Sequence, residues 1–109
     1  MAESLKSLGQ LAPAATTLLD LYTVPASTSA SISSIIVCNR GSTTTTFRIA
    51  VAVAGVTDAN KQYIFYDQSL DGNSTFVATI GLTVTATDKI RVYAGNSNLS
   101  FNAFGIEVS

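Results

Sequence analysis

From Leu18 onward the chain alternates apolar and polar residues with a period of two, the repeat of a half-buried β-strand. Thr46–Ala54 shows it most clearly: Phe47, Ile49, Val51 and Val53 fall on one face, and Arg48, Ala50, Ala52 and Ala54 on the other. The large residues are expected to face a core, and the flat alanine face to be covered by something other than water. Leu18–Val24, Ser31–Cys38, Gln62–Leu70, Thr75–Val84, Lys89–Ala94 and Leu99–Val108 supply further strands. Turn-forming residues separate them, at Pro25–Thr28, Asn39–Ser42, Asp71–Asn73 and Gly95–Asn98. Asn39, Gly41 and the Asp71-Gly72-Asn73 segment are expected to supply positive φ angles there. In the last strand Leu99, Phe101 and Ala103 share one phase while Phe104, Ile106 and Val108 share the other, which predicts a bulge beside Gly105.

About seven to eight strands at nearly regular spacing, with no helical period between them, predict an all-β antiparallel sandwich or jelly roll. Residues 1–17 break the pattern. They are low in aromatics, interrupted by Gly9 and Pro13, and read as an extended N-terminal arm with at most a helical turn near Ser4–Leu8. Such an arm is ordered only by lying against the body or a neighbouring subunit. The expected organisation is an arm over 1–17 and one sandwich domain over 18–109.

Composition narrows the function classes. The 109 residues are 47% apolar and 12% charged, too apolar for disorder and too rich in β-branched side chains to favour helices. A single domain of this length buries roughly two thirds of its unfolded surface and has little room for a deep cavity. The net charge is −1 with the charges scattered, so there is no basic stripe for nucleic acid. No run approaches the roughly 20 apolar residues of a membrane helix, and no membrane partner is expected. Glu3 and Lys6 stand where a secretory signal would need an apolar core, and Cys38 has no partner cysteine, so synthesis in a cytoplasm is the expectation.

The candidate chemistry is thin. There is no histidine, which removes the commonest general base and metal ligand and rules out Ser-His-Asp and Cys-His arrangements within one chain. Arg40, two positions from Cys38, would lie roughly 7 Å away on a strand, a poor distance for activating a thiol. Cys38 is therefore expected to be a small buried apolar residue at a strand end. Asp67 and Asp71 are the nearest acidic pair, but Asp71 sits in a turn signal, and with Asn73 they lack the donor order of an EF-hand. Gly72, Gly81 and Gly95 are isolated, so no phosphate loop is present. No catalytic, cofactor-binding or metal-binding residue is assigned. The aromatics suit either a sugar-binding platform or a subunit interface where they are not core, and Tyr22, Tyr66 and Tyr93 are the ones whose phenols favour a rim.

The segments "LYTVPA", "VCNRG" and "ATDKIRVYAG", in a similarity running from about Leu8 to Val108, resemble small structural proteins of tailed bacteriophages and prophages. The resemblance implies a sandwich or jelly-roll subunit assembled in many copies, as a capsid decoration (cement) protein or as a tail, neck or baseplate component. Symmetric homo-oligomers, trimers, are expected within a virion, with other phage capsid or tail proteins as partners. The expected interface comprises Leu8, Leu11 and Pro13 of the arm together with Tyr22, Arg40, Tyr66 and Tyr93. A receptor- or carbohydrate-binding tip, with the tyrosines clustered on an exposed surface, is the alternative.

Overall fold

Residues 2–109 are described by a computed structural model of the chain. Nine strands form among them: β1 (Glu3–Leu11), β2 (Leu18–Thr23), β3 (Ser29–Asn39), β4 (Thr45–Ala52), β5 (Tyr63–Leu70), β6 (Thr75–Ala78), β7 (Leu82–Thr85), β8 (Lys89–Ala94) and β9 (Leu99–Val108). Among the described residues the helical content is confined to 3-10 turns at Val53–Gly55 and Asn60–Gln62, both in the β4–β5 connection.

All pairings are antiparallel and they nest. β1 pairs with β9, β2 with β8, β3 with β6 and β7, and β4 with β5. This is one long hairpin rolled up, and two further pairings, β3 with β9 and β4 with β8, stitch it into two sheets. One sheet runs β1-β9-β3-β6 with β7 also on β3, and the other runs β2-β8-β4-β5. The sandwich is therefore a jelly roll. β6 and β7 behave as one strand interrupted at residues 79–81, opposite a bulge at Ser33 that shifts the β3–β9 register, and Gly81 crosses the break with φ +54°.

The inner faces meet in a dry core. Phe47, Ile49, Ile90 and Val92 from the four-stranded sheet face Ile32, Ile35, Val37, Leu99 and Phe101 from the five-stranded sheet, all fully buried. Phe47 sits at the centre, its ring 5.2 Å from Phe76, 6.2 Å from Phe65 and 6.3 Å from Phe101, within the range where tilted and edge-on aromatic pairs attract.

Several expectations are corrected. Ser4–Leu8 is strand, not helical turn: β1 runs along β9, and a bulge at Leu8 lets Leu8 and Leu11 both turn inward while Leu5 points out. Leu8 and Leu11 pack against the core and Pro13 is buried. β9 has no change of phase at Gly105; the irregularities lie in its neighbours, at Leu8 and Ser33. Gly105 is needed instead because an added Cβ would lie 2.1 Å from the Ser31 carbonyl oxygen. Phe104, Ile106 and Val108 consequently point out of the sandwich and are half-buried. Cys38 also lies on the outer face, half-exposed, because the buried phase of β3 is Ile35, Val37 and Asn39.

Asn39 and Gly41 do not adopt positive φ; in the 71–73 turn Asn73 does, at +56°. Asn39 works through its side chain. Its Nδ2 donates to the carbonyls of Thr43 (2.9 Å), Leu70 (3.2 Å) and Asp71 (3.2 Å), and its Oδ1 accepts from the Gly41 amide (3.0 Å). One buried carboxamide thus ties the β3–β4 turn to the end of β5.

Candidate binding surface on the four-stranded sheet

The outward phase of β4 carries Arg48, Ala50 and Ala52, and what covers the alanines is the chain itself. Arg91 on β8 is paired with Ala50 across the ladder and reaches over it, donating to the carbonyls of Val56 (2.8 Å) and Gly55 (3.1 Å) and to Asp58. Gln62 is buried and closes the same loop on itself, donating to the Thr57 carbonyl (3.0 Å) and accepting from the Ala59 amide (3.2 Å). The 53–62 connection is so folded back against the outer face that Ala50 and Ala52 are fully buried.

Beside this loop, two irregularities in β5 build an aromatic cluster. Ala50 pairs with Tyr63 and Ile49 with Phe65, leaving Ile64 as an extra residue; Ile49 and Phe47 pair with Phe65 and Gln68, leaving both Tyr66 and Asp67 opposite Arg48. Asp67 takes a left-handed φ of +50° in that bulge. As a result Tyr63 and Tyr66, three positions apart, share the outer face and meet edge to face at 5.0 Å.

Arg48 lies between two tyrosines. Its guanidinium carbon is 4.1 Å from the Tyr66 ring centre on β5 and 4.3 Å from that of Tyr93 on β8, the strands flanking β4 on either side. Its Nε donates to Asp67 Oδ1 at 2.7 Å, and the hydrogen bond to Asp67 holds the guanidinium firmly in its charged form. Tyr93–Arg48–Tyr66 is thus a cation–π ladder across three strands, with Asp67 balancing its charge. A hollow of ≈ 410 Å³ opens beside it, lined by Asn60, Tyr63 and Tyr66.

The other expected residues lie elsewhere. Tyr22 is buried at the end of β2, where its hydroxyl donates to Glu107; burial and that carboxylate both raise its pKa. Lys6 (2.7 Å) and Tyr22 together lower the pKa of Glu107. Arg40 is at the exposed tip of the β3–β4 turn and donates to the Ser97 carbonyl at 3.1 Å. Of the seven expected interface residues, Leu8, Leu11 and Tyr22 belong to the core cluster and Pro13 is buried, while Tyr66 and Tyr93 are the two that flank Arg48 on this face. Arg48, Tyr63 and Asn60 join them without having been singled out. A signal for Arg48 was present, as the one charge on an otherwise alanine face. Asp67 is engaged by Arg48, while Asp71 lies at the far end of β5 opposite Thr44; no group of three acidic or cysteine side chains suited to a metal occurs among the described residues.

Neither a family model nor a curated protein sequence matches the chain. Its fold is similar to that of a chain in the structure of infectious bursal disease virus Gx strain, with a TM-score of 0.56 and 14% identity over 97% of the present chain. The present chain spans 30% of that one. At this identity the likeness is one of fold: the same sandwich architecture occurs in a chain of that virus.

Proposed function

We propose that the chain is a non-enzymatic structural protein of a tailed-phage virion, whose copies assemble as symmetric trimers and decorate and stabilise the capsid. The observation that carries this reading is the contrast between the two outer faces. The four-stranded sheet presents Asp20, Arg48, Asp67, Lys89 and Arg91, joined in ion pairs. The register places on the outer face of the five-stranded sheet Leu5, Ile36, Val77, Phe104 and Ile106 among serines and threonines, with Glu3 and the edge-strand Lys6 the charged residues beside them among those described. Leu5 is 81% and Val77 56% exposed. A sheet face carrying exposed apolar side chains beside the free edge of β1 is the kind of surface that oligomers cover.

The resemblance of the sequence to small phage virion proteins directs the reading to a phage particle, and the fold shared with a viral chain supports it. A place in the tail, neck or baseplate is the second position consistent with the same surface. Size-exclusion chromatography with light scattering tests the assembly. The wild type is expected to be oligomeric, and Val77→Lys and Ile106→Lys to shift it towards monomer with an unchanged β-type circular dichroism spectrum. Electron microscopy of purified heads and tails incubated with the protein separates the two positions. A monomer that binds neither particle would sink the proposal.

A further inference from the structure

We propose that the hollow beside the Arg48 ladder is a binding site for a neutral saccharide, a function that does not depend on the assembly reading. Two walls of the hollow are aromatic and meet at a near right angle of 81°. Tyr66 leaves 58% of its surface exposed, a large value for an aromatic residue in a strand. Sugar rings have C–H-rich faces that rest on such rings and hydroxyls around the perimeter that need hydrogen-bond partners. The perimeter here has partners to spare. Neither the Asn60 carboxamide nor the Tyr66 hydroxyl, both lining the hollow, hydrogen-bonds within the chain among the described residues, while every buried side-chain polar atom among them is satisfied.

Charge selects the ligand class. Arg48 is neutralised by Asp67 at 2.7 Å, and the neighbouring Lys61 turns to another hollow, which it lines with Val53, Val56 and Gln62. Among the described residues no uncompensated charge lines the Asn60–Tyr63–Tyr66 hollow, so a phosphate or carboxylate gains little there and an uncharged polyol is favoured. The site is also preorganised. The Arg48 guanidinium, 4.1 Å from the ring centre, restrains Tyr66, and the two hydrogen bonds of Gln62 hold the turn that carries Asn60. Binding then orders few side chains, which lowers its entropic cost. The volume of ≈ 410 Å³ accommodates one or two sugar rings.

The full chain, labelled, is to be applied to an immobilised array of neutral hexose and N-acetylhexosamine oligosaccharides, and the strongest glycan titrated by calorimetry. Binding is expected, weakened about tenfold or more by Tyr66→Ala and by Asn60→Ala and largely kept by Tyr66→Phe, which retains the ring. Oligomeric state and circular dichroism should stay as in the wild type. Absence of binding to any glycan, or binding that survives both alanine substitutions, overturns the proposal. Dissociation of copies by Tyr66→Ala would overturn it too, since it would make the cluster a protein interface; loss of assembly in the Ile106→Lys variant with glycan binding intact bears only on the assembly reading.

Discussion

Asp88 shows how much a single buried polar residue contributes to this fold. Its carboxylate, almost fully buried, accepts from the Ala54 amide (2.8 Å) and the Thr85 amide (2.9 Å), joining the β7–β8 turn to the end of β4. Those two backbone donors favour the ionised form and hold its pKa below the ordinary 3.8. The native state therefore binds this proton more weakly than the unfolded chain, and stability rises with pH across the window between the two pKa values. The contribution is complete above about pH 4 and disappears as the pH falls through the depressed native value. Asp88→Asn presents an N–H where an acceptor is needed and should cost about 1–3 kcal/mol at neutral pH. The deficit relative to wild type should shrink below pH 4, measured by urea unfolding at a series of pH values. An unchanged deficit down to pH 2 would mean that the amide geometry, not the charge, is what matters. Asn39 acts in a related way without charge, which is why "VCNRG" is a structural corner and not a reactive one: the side chain of Asn39 is consumed by four backbone partners.

At the scale of elements, β1 is the strand whose role differs most from its sequence pattern. Few aromatics, Gly9 and Pro13 make residues 1–17 read as an arm, because the bulge that turns Leu8 and Leu11 inward while Leu5 faces out is visible only in the pairing with β9. By contrast β8 and β4 as far as Ala52 were legible, since their regular pairing preserves a strict alternation, while Val53, expected on the core face, is exposed in the 3-10 turn that follows. The binding cluster was legible only in part for the same reason. Tyr63 and Tyr66 cannot share a face of a regular strand, and it is the extra residue at Ile64 that places them together; the Arg48–Tyr93 pairing is a matter of cross-strand register, which alternation does not encode. For β1 the consequence is measurable. Deleting residues 2–11 removes Leu8 and Leu11 from the core and bares the ladder edge of β9. The remaining chain should unfold at a temperature lower by about 5–10 °C, since Leu8 and Leu11 are partly buried and each contributes less than the ~1.5–3 kcal/mol of a fully buried leucine. It should also self-associate through the exposed β9 edge, seen as concentration-dependent scattering. A truncated chain as stable and as soluble as the full one would make β1 a dispensable arm.

For the whole molecule, the rolled hairpin has a kinetic consequence. Its two ends meet: the Ala2 amide donates to the Ser109 carbonyl and the Ser109 amide to that of Ala2, both at 2.9 Å. The pairing with the longest separation in sequence, β1 with β9, is thus the outermost layer of a nest whose innermost layer is β4 with β5. Closing long loops before contacts reward them is slow, and a jelly roll in which most contacts are non-local should refold in milliseconds to seconds. The innermost β4–β5 pair can form early, whereas β1 must wait for the last ten residues of the chain. Joining Ser109 to Ala2 through a short glycine-containing turn, and opening the chain at the exposed Gly81 where an added Cβ would touch nothing, turns β9–β1 into a local hairpin while keeping the native contacts. This permutant should have nearly the wild-type equilibrium stability and refold about tenfold faster, as followed by stopped-flow fluorescence of the tyrosines. If instead it refolds at the wild-type rate, β1–β9 closure lies after the rate-limiting step, and the barrier belongs to the assembly of β3 and β4 with their partners in the middle of the nest.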